Sequence, residues 1–278
     1  MNVDDASGFS STSNIGRSLT LSGPAKSRAM SRRLYKLSPV VPLCFLAGCA
    51  IPDEQEIKVI QATPRLEKDL GGVYGDQAVQ RYVADVGWQI ARCTGRTDLS
   101  WEFKILDSRQ INAFALPTAK VYITRGLLSR LENEAQLASI LGHEVAHVVR
   151  GHPTQQLERA RALQDGQIMS AIVGSTGAAD QINPFVAGLR RYSREQEKEA
   201  DLYGLNYLAR AGYDPQAMVR TMEILEDPRS ASAGMLATHP TSENRRQYLQ
   251  DEIDRRYGGS TRGKLNAEQF QRIVWQRY

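Results

Sequence analysis

The chain has 278 residues, of which 41% are hydrophobic, so it is long enough to bury a sizeable core. Its formal net charge is +4, but residues 1–48 hold six of the 35 Lys and Arg residues and only two of the 31 acidic residues. From Cys49 onward 29 charges of each sign remain, which gives no support to nucleic-acid binding. Nothing in the sequence repeats at the period of helical repeat arrays.

The N-terminal region predicts an exported lipoprotein. Three basic residues precede an apolar run at 37–46, and the sequence Leu-Ala-Gly-Cys then ends at Cys49. This order is typical of a signal peptide that is cleaved before a lipid-modified cysteine, so Cys49 would become the acylated first residue. A plain secretory signal with an incidental cysteine, and a twin-arginine signal at Ser31–Arg33, are the alternatives. A transmembrane anchor is disfavoured, because the run is shorter than the roughly 20 residues that a bilayer span needs.

These features divide the chain into four predicted parts. Residues 1–48 form a leader, in which a clean signal begins at Met30, so that the preceding residues are interpreted as a mis-called start. Residues 49–64 form a lipidated tether. A single catalytic domain is expected at 65–257, followed by a C-terminal tail at 258–278.

The first half of the predicted domain combines a helix with a small sheet. Apolar residues recur at helical spacing over 79–90, and apolar and polar residues alternate at 101–105. Two further strands are expected at 112–116 and 121–124. A small, mainly antiparallel sheet followed by helices is an α+β arrangement.

A metal-binding motif follows the strands. His143, Glu144 and His147 spell H-E-x-x-H in a helix that Asn133 and Gln136 can cap. The two histidines are four residues apart and share one helix face, where both can reach one metal ion. Glu144 is placed to take a proton from water as a general base. Catalytic zinc usually has three protein ligands, so the third must come from elsewhere.

Nearby candidates for the third ligand fail on spacing. The metzincin pattern requires Gly and His where this chain has Arg150 and Pro153, which excludes that class. His152 would lie on the opposite helix face from His143, and Gly151 is expected to end the helix. A role at the surface, or as a hydrogen-bond partner behind a ligand, is therefore preferred for His152.

Glu197 is the candidate for the third ligand. Ser193 and Gln196 have the form of a capping box, which predicts a helix start near Ser193. Glu197 and Asp201 then share a face, so that one carboxylate can bind the metal while the other accepts a hydrogen bond from His143. A solvated charged helix face is the alternative for this segment.

The segment from Gln164 to Leu189 separates the two predicted metal-binding helices and is rich in Gly, Ala and Ser. Two interpretations stay open, a lid near the cleft or an ordinary helical connection.

Five ordered motifs carry a family resemblance over roughly residues 65 to 250. They are N-A-F-A-L-P from Asn112, V-Y-I-T-R-G-L-L from Val121, H-E-x-x-H from His143, Y-S-R with E-x-x-A-D-x-x-G from Tyr192, and T-H-P around His239. Together they resemble the gluzincin peptidases of family M48, in particular the branch of the bacterial cell envelope. One departure is Thr118-Ala119, where family members often carry glycines, which leaves the geometry of the following turn open.

The resemblance implies a zincin-like fold and a zinc endopeptidase that uses one Zn²⁺. The implied zinc ligands are His143, His147 and Glu197, with Glu144 as general base and Asp201 as the partner behind a ligand. His239 would face the metal, either as a donor to the transition state or as a reversible fourth ligand that keeps the enzyme latent.

The resemblance also implies how substrate binds. A peptide would pair with an edge strand, expected at 112–116 or 121–124, and Asn112, Ala113, Phe114 and Ala115 are the candidates. We expect the substrates to be unfolded or misassembled envelope proteins, in protein quality control at the outer membrane facing the periplasm, beside envelope assembly machinery. The alternative is a latent or inactive chaperone-like lipoprotein that holds partners in the cleft, with His239 on the zinc.

Overall fold

In the computed structural model the described residues are 54–164, 191–226, 239, 244–259 and 262–277. The predicted leader and Cys49 lie outside them, as do residues 165–189 of the Gly-rich segment. All described residues belong to one compact unit, Ala47–Tyr278.

Within the described ranges, three strands form one sheet. They are β1 (Glu102–Leu106), β2 (Ala113–Ala115) and β3 (Lys120–Thr124), in the order β1-β3-β2. β2 pairs with β3 antiparallel, as expected for strands joined by a short turn, whereas β1 pairs with β3 parallel. The sheet is therefore mixed and not mainly antiparallel, since alternation of apolar residues does not encode strand direction. β3 is central, so the alternative edge strand at 121–124 was wrong, and β2 is an edge.

The turn between β2 and β3 is closed without glycine. The backbone N–H of Leu116 donates to the carbonyl of Lys120 at 2.8 Å. Ala119 adopts a φ of 59°, in the left-handed region that glycine usually occupies. The Thr118-Ala119 sequence thus keeps the turn, with backbone strain at Ala119.

The described part of the chain contains nine helices. They are α1 (Glu54–Asp69), α2 (Gln77–Arg92), α3 (Arg125–Leu128), α4 (Glu134–Val149), α5 (His152–Gln164), α6 (Arg194–Arg210), α7 (Gln216–Glu226), α8 (Arg245–Tyr257) and α9 (Ala267–Ile273), with a short 3-10 turn at Trp275–Arg277. Two predicted starts are confirmed. Asn133 caps α4 by accepting from the backbone of Gln136, and Ser193 and Gln196 form the capping box of α6. Among the described residues, no helix combines the length and the apolarity of a membrane span.

The sheet has an apolar cluster on each face. Alternate residues such as Ile105, Val121 and Ile123 join the main core with α2 and α4, while Phe114 and Tyr122 stack on the other face at 5.0 Å between ring centroids. α1 covers this second face through Val59, Thr63 and Leu66, which are buried. The predicted tether at 49–64 therefore overlaps a packed helix from Glu54 onward.

α4 is the central helix of the fold. It contacts α2, α6 and α7 and the strands β2 and β3, and its residues from Glu134 to Val148 are all buried. The segment after α8 also packs on this core, because Phe270 and Val274 are fully buried in it. Asn266 donates to the carboxylate of Glu134 at 2.8 Å. This hydrogen bond links the segment after α8 to the start of α4.

Candidate active site

His143 and His147 lie one turn apart on α4, as predicted. Their Nε2 atoms are 2.9 Å apart, and both side chains are buried. Two ring nitrogens that face each other in this way suit a shared metal ion.

α6 crosses α4 at two glycines, which brings Glu197 to the histidines. A Cβ atom on Gly204 would lie 3.0 Å from the carbonyl carbon of Gly142 and from the backbone nitrogen of His143, so the helices approach as closely as glycine permits. Glu197 then places one carboxylate oxygen 3.5 Å from Nε2 of His143 and the other 3.5 Å from Nε2 of His147.

His239 closes the group from a third segment of the chain. Its Nδ1 lies 2.9 Å from Oε1 of Glu197 and 3.3 Å from Nε2 of His143. Its Nε2 lies 3.4 Å from Oε1 of Glu144. His239 is buried, and its neighbours at 238 and 240 lie outside the described residues.

The donor set fits zinc. One ligand atom from each of His143, His147, Glu197 and His239 lies within 4.8 Å of all the others. Imidazole nitrogens and carboxylate oxygens are the donors that zinc takes in catalytic sites, and their grouping inside a protein core fits a bound cation. Glu144 is fully buried beside them, and neither of its carboxylate oxygens has a hydrogen-bond partner within the described ranges.

A charged network supports His143 from behind. Its Nδ1 lies 2.9 Å from Oδ1 of Asp201, the carboxylate that was predicted to share a helix face with Glu197 and to face His143. Arg245 on α8 donates to both oxygens of Asp201, at 2.9 and 2.7 Å, and its Nη1 lies 3.0 Å from Glu197. Tyr248 also donates to Asp201. Although burial opposes ionisation, Arg245 and His143 lower the pKa of Asp201 to about 2, so this carboxylate stays charged.

His147 has a different support. The ring of Tyr192 stacks on it with 3.8 Å between centroids and 22° between planes. Nδ1 of His152 lies 2.9 Å from Nδ1 of His147. His152 is buried, so of its two preferred roles the one at the surface was wrong, whereas the one as a hydrogen-bond partner behind a ligand agrees with this contact. Burial lowers the pKa of His152, which favours the neutral ring.

The two carboxylates of the site differ in their pKa values. Burial raises the pKa of Glu144, against the opposing effect of His239 and His143. Burial acts in the same direction on Glu197, but His239 and hydrogen bonds from the histidines hold its pKa well below the ordinary value. The arrangement therefore pairs a carboxylate that readily accepts a proton with one that stays ionised.

Sequence reasoning missed Arg245, Tyr192 and Tyr248 as site residues. Arg245 and Arg246 begin α8 as an ordinary basic pair, and nothing local separates the buried arginine from the exposed one. Tyr192 was part of the quoted Y-S-R motif, and its position next to the capping serine was the available signal. The strand predicted at 112–116 is observed as β2 (Ala113–Ala115), an edge among the described strands that contacts α4, and Asn112 lies just before it.

An α+β fold in which H-E-x-x-H on one helix meets a glutamate from a later helix defines a zinc metallopeptidase of the gluzincin type. The comparison with protein families agrees, since the description "Peptidase family M48" matches residues 77–253. The chain belongs to this family.

Three relatives are similar to this chain in sequence. The beta-barrel assembly-enhancing protease of Yersinia pestis is 27% identical over 243 residues, which cover 82% of this chain and 50% of that protein. The mitochondrial metalloendopeptidase OMA1 of Schizosaccharomyces pombe is 30% identical over 196 residues, or 66% and 58% of the two chains. Metalloprotease YcaL of Escherichia coli K12 is 28% identical over 159 residues, or 54% and 61%. The chain thus spans about half the length of the Yersinia relative.

Proposed function

We propose that this chain is a zinc-dependent endopeptidase of the bacterial cell envelope that hydrolyses unfolded or misassembled envelope proteins. The observation that carries the proposal is the buried Glu144, free of hydrogen-bond partners in the described part of the chain and set beside the cluster of His143, His147, Glu197 and His239. A carboxylate in this position serves the proton transfers of peptide hydrolysis.

The proposed roles follow from the geometry. His143, His147 and Glu197 hold the zinc ion, which when bound lowers the pKa of water and polarises a carbonyl group. Glu144 accepts the proton of the attacking water and then delivers it to the leaving amine, and its raised pKa suits both transfers. Asp201 keeps the proton of His143 on Nδ1, so that Nε2 stays free to bind.

The substrate is proposed to pair with β2. This strand is an edge of the sheet, so an extended peptide can add to it through backbone hydrogen bonds with little demand on side chains. The proposed contacts to substrate are Ala113, Phe114 and Ala115 of β2 and Asn112 immediately before it. Such recognition favours unfolded chains, and the name of the Yersinia relative, a beta-barrel assembly-enhancing protease, supports substrates that are being assembled.

The location is proposed from the N-terminal motif. Acylated Cys49 would anchor the domain to a membrane, with an outer-membrane position facing the periplasm and access to envelope assembly machinery. Mass spectrometry of the protein purified from membranes tests this proposal. A mature chain that begins at Cys49 with attached acyl groups supports it, and an unmodified Cys49 contradicts it.

The test of the enzyme is cleavage of casein, an unfolded protein, by the zinc-loaded chain and by its Glu144→Gln variant. We expect the variant to bind zinc but to cleave at least about 100-fold more slowly, because it lacks the general base. Glu195→Gln, at an exposed carboxylate on α6, is the control and should cleave like the parent. Cleavage by Glu144→Gln at the parent rate would refute the assigned role.

One observation favours a second function. His239 lies within the metal-binding group itself, so it can complete the zinc ligands and keep the site closed. The chain would then be a latent or inactive chaperone-like lipoprotein that holds partners in the cleft. A His239→Ala variant separates the two functions in the casein assay.

A further inference from the structure

A line of polar side chains runs from His147 to the protein surface. Nδ1 of His147 lies 2.9 Å from Nδ1 of His152, and Nε2 of His152 lies 3.0 Å from Oε2 of Glu199. The other oxygen of Glu199 lies 2.6 Å from Nη2 of Arg150. The two histidines are buried, whereas the side chains of Glu199 and Arg150 are 34% and 39% exposed.

The positions of the protons follow from this line. A histidine that binds a metal through Nε2 carries its proton on Nδ1, so His147 donates and Nδ1 of His152 accepts. His152 must then carry its own proton on Nε2, which faces the carboxylate of Glu199. Each hydrogen bond thus fixes the direction of the next, and Glu199 selects the ring form of His152 that His147 needs.

We propose that His152 and Glu199 are positioning residues that hold His147 in the ring form and orientation required to bind zinc, so that the zinc affinity depends on a partly exposed carboxylate. This inference rests on the proposed role of His147 as a zinc ligand. It adds two residues outside the H-E-x-x-H motif to the machinery of the site.

The two proposed histidine ligands therefore differ in the residues that support them. His143 faces Asp201, a fully buried carboxylate that Arg245 and Tyr248 also bind. His147 faces the imidazole of His152, and the nearest carboxylate behind that ring belongs to Glu199, whose side chain is partly exposed to solvent. Changes at His152 or Glu199 can weaken the zinc site while the Asp201 network stays intact.

The test measures zinc affinity by competition with a chelator, which does not require proteolysis. His152→Leu removes the acceptor for His147 at similar volume, and we expect it to weaken zinc binding about 10- to 100-fold, as is usual for the partners of ligating histidines. His152→Asn restores an acceptor oxygen near the place of Nδ1 and should recover most of the affinity. Gln156→Leu is the matched control, since Gln156 is buried one turn along α5 from His152. The zinc affinity of this control variant should equal that of the parent.

A second pair of variants tests the outer residue. Glu199→Gln keeps the shape but removes the charge that selects the ring form of His152, so we expect weaker zinc binding than in Glu195→Gln, an exposed position on the same helix. The Tm of each zinc-free variant is measured alongside. Because both substitutions lie at partly or fully exposed side chains, this pair also decides the question if His152→Leu does not fold.

Three outcomes would overturn the inference: parent-like zinc affinity in His152→Leu, equal affinities in the two glutamine variants, or a fall in zinc-free Tm with unchanged affinity. The last outcome would make the line of side chains structural only. The proposed function fails separately, through casein cleavage that persists in Glu144→Gln.

Discussion

At the scale of single residues, His239 stands between two carboxylates with different tasks. Its Nδ1 lies 2.9 Å from Glu197, in the direction of the metal-binding atoms, and its Nε2 lies 3.4 Å from Glu144. The first contact suits an additional ligand, whereas the second suits a donor that works beside the general base. One ring in this position serves either role.

His239→Ala distinguishes the two roles in the casein assay. If His239 donates to the developing oxyanion, the variant should lose about 100-fold or more in rate with zinc affinity near that of the parent. If His239 is a latch, the variant should cleave faster and bind zinc more weakly, because a ligand is lost. Glu195→Gln again serves as the control. A variant equal to the parent in both measurements would place His239 outside both roles.

The residues that were predicted and those that were missed differ in how they are encoded. The pairs His143 with His147 and Glu197 with Asp201 were predicted because helical spacing places each pair on one face, and Glu144 was predicted from its place in the H-E-x-x-H motif. The structure brings these residues together. Arg245 binds Asp201 across 44 residues of chain, and no local period signals such a contact. Gly151 ends α4 as expected, with a φ of 70°, but the sequence did not show that α5 begins at His152 and that the chain turns back toward His147.

At the scale of elements, the close crossing of α4 and α6 sets the distance between the histidines and Glu197. Gly204→Ala would place a methyl group 3.0 Å from backbone atoms of Gly142 and His143. We expect the helices to separate, at a cost of about 1–3 kcal/mol in the free energy of unfolding, and zinc binding to weaken. Chemical denaturation and chelator competition measure the two effects.

Gly75→Ala provides the control for that substitution. An added Cβ at Gly75 would meet no atom within 4 Å, so the free energy of unfolding and the zinc affinity should change little. If Gly204→Ala matched this control in both measurements, the helix crossing would tolerate more separation than the contact distances indicate.

Elements were predicted where local signals exist. The caps of α4 and α6 and the strand positions followed from turn, cap and alternation patterns. The burial of α4 on every side was not predicted from such patterns. Its polar positions are occupied by Glu134, Ser139 and the metal-binding residues, which in sequence resemble a solvent-exposed face. Strand direction was likewise not encoded, and the parallel pairing of β1 with β3 depends on the whole sheet.

At the scale of the whole molecule, the segment after α8 completes the core. Phe270 is fully buried in the main core, and its ring lies 6.3 Å from that of Tyr82 on α2. We expect Phe270→Ala to lower the free energy of unfolding by about 3–5 kcal/mol, as is typical of a buried aromatic side chain. Thermal denaturation with and without zinc measures the loss, and Gln271→Ala, exposed on the same helix, should change little. A loss no larger than that of Gln271→Ala would show that this segment adds little to the fold.

The segment after α8 also completes the hydrogen bonds at the start of α4, the active-site helix. Glu134 accepts from Tyr82, Tyr213 and Asn266, and the backbone N–H of Ala135 donates to Leu265. Asn266 follows Glu134 by 132 residues, so during synthesis the ribosome makes α4 well before the groups that complete it. The contacts that complete the start of α4 can therefore form only after most of the chain has been translated, so the active-site helix gains its last supporting hydrogen bonds late in synthesis.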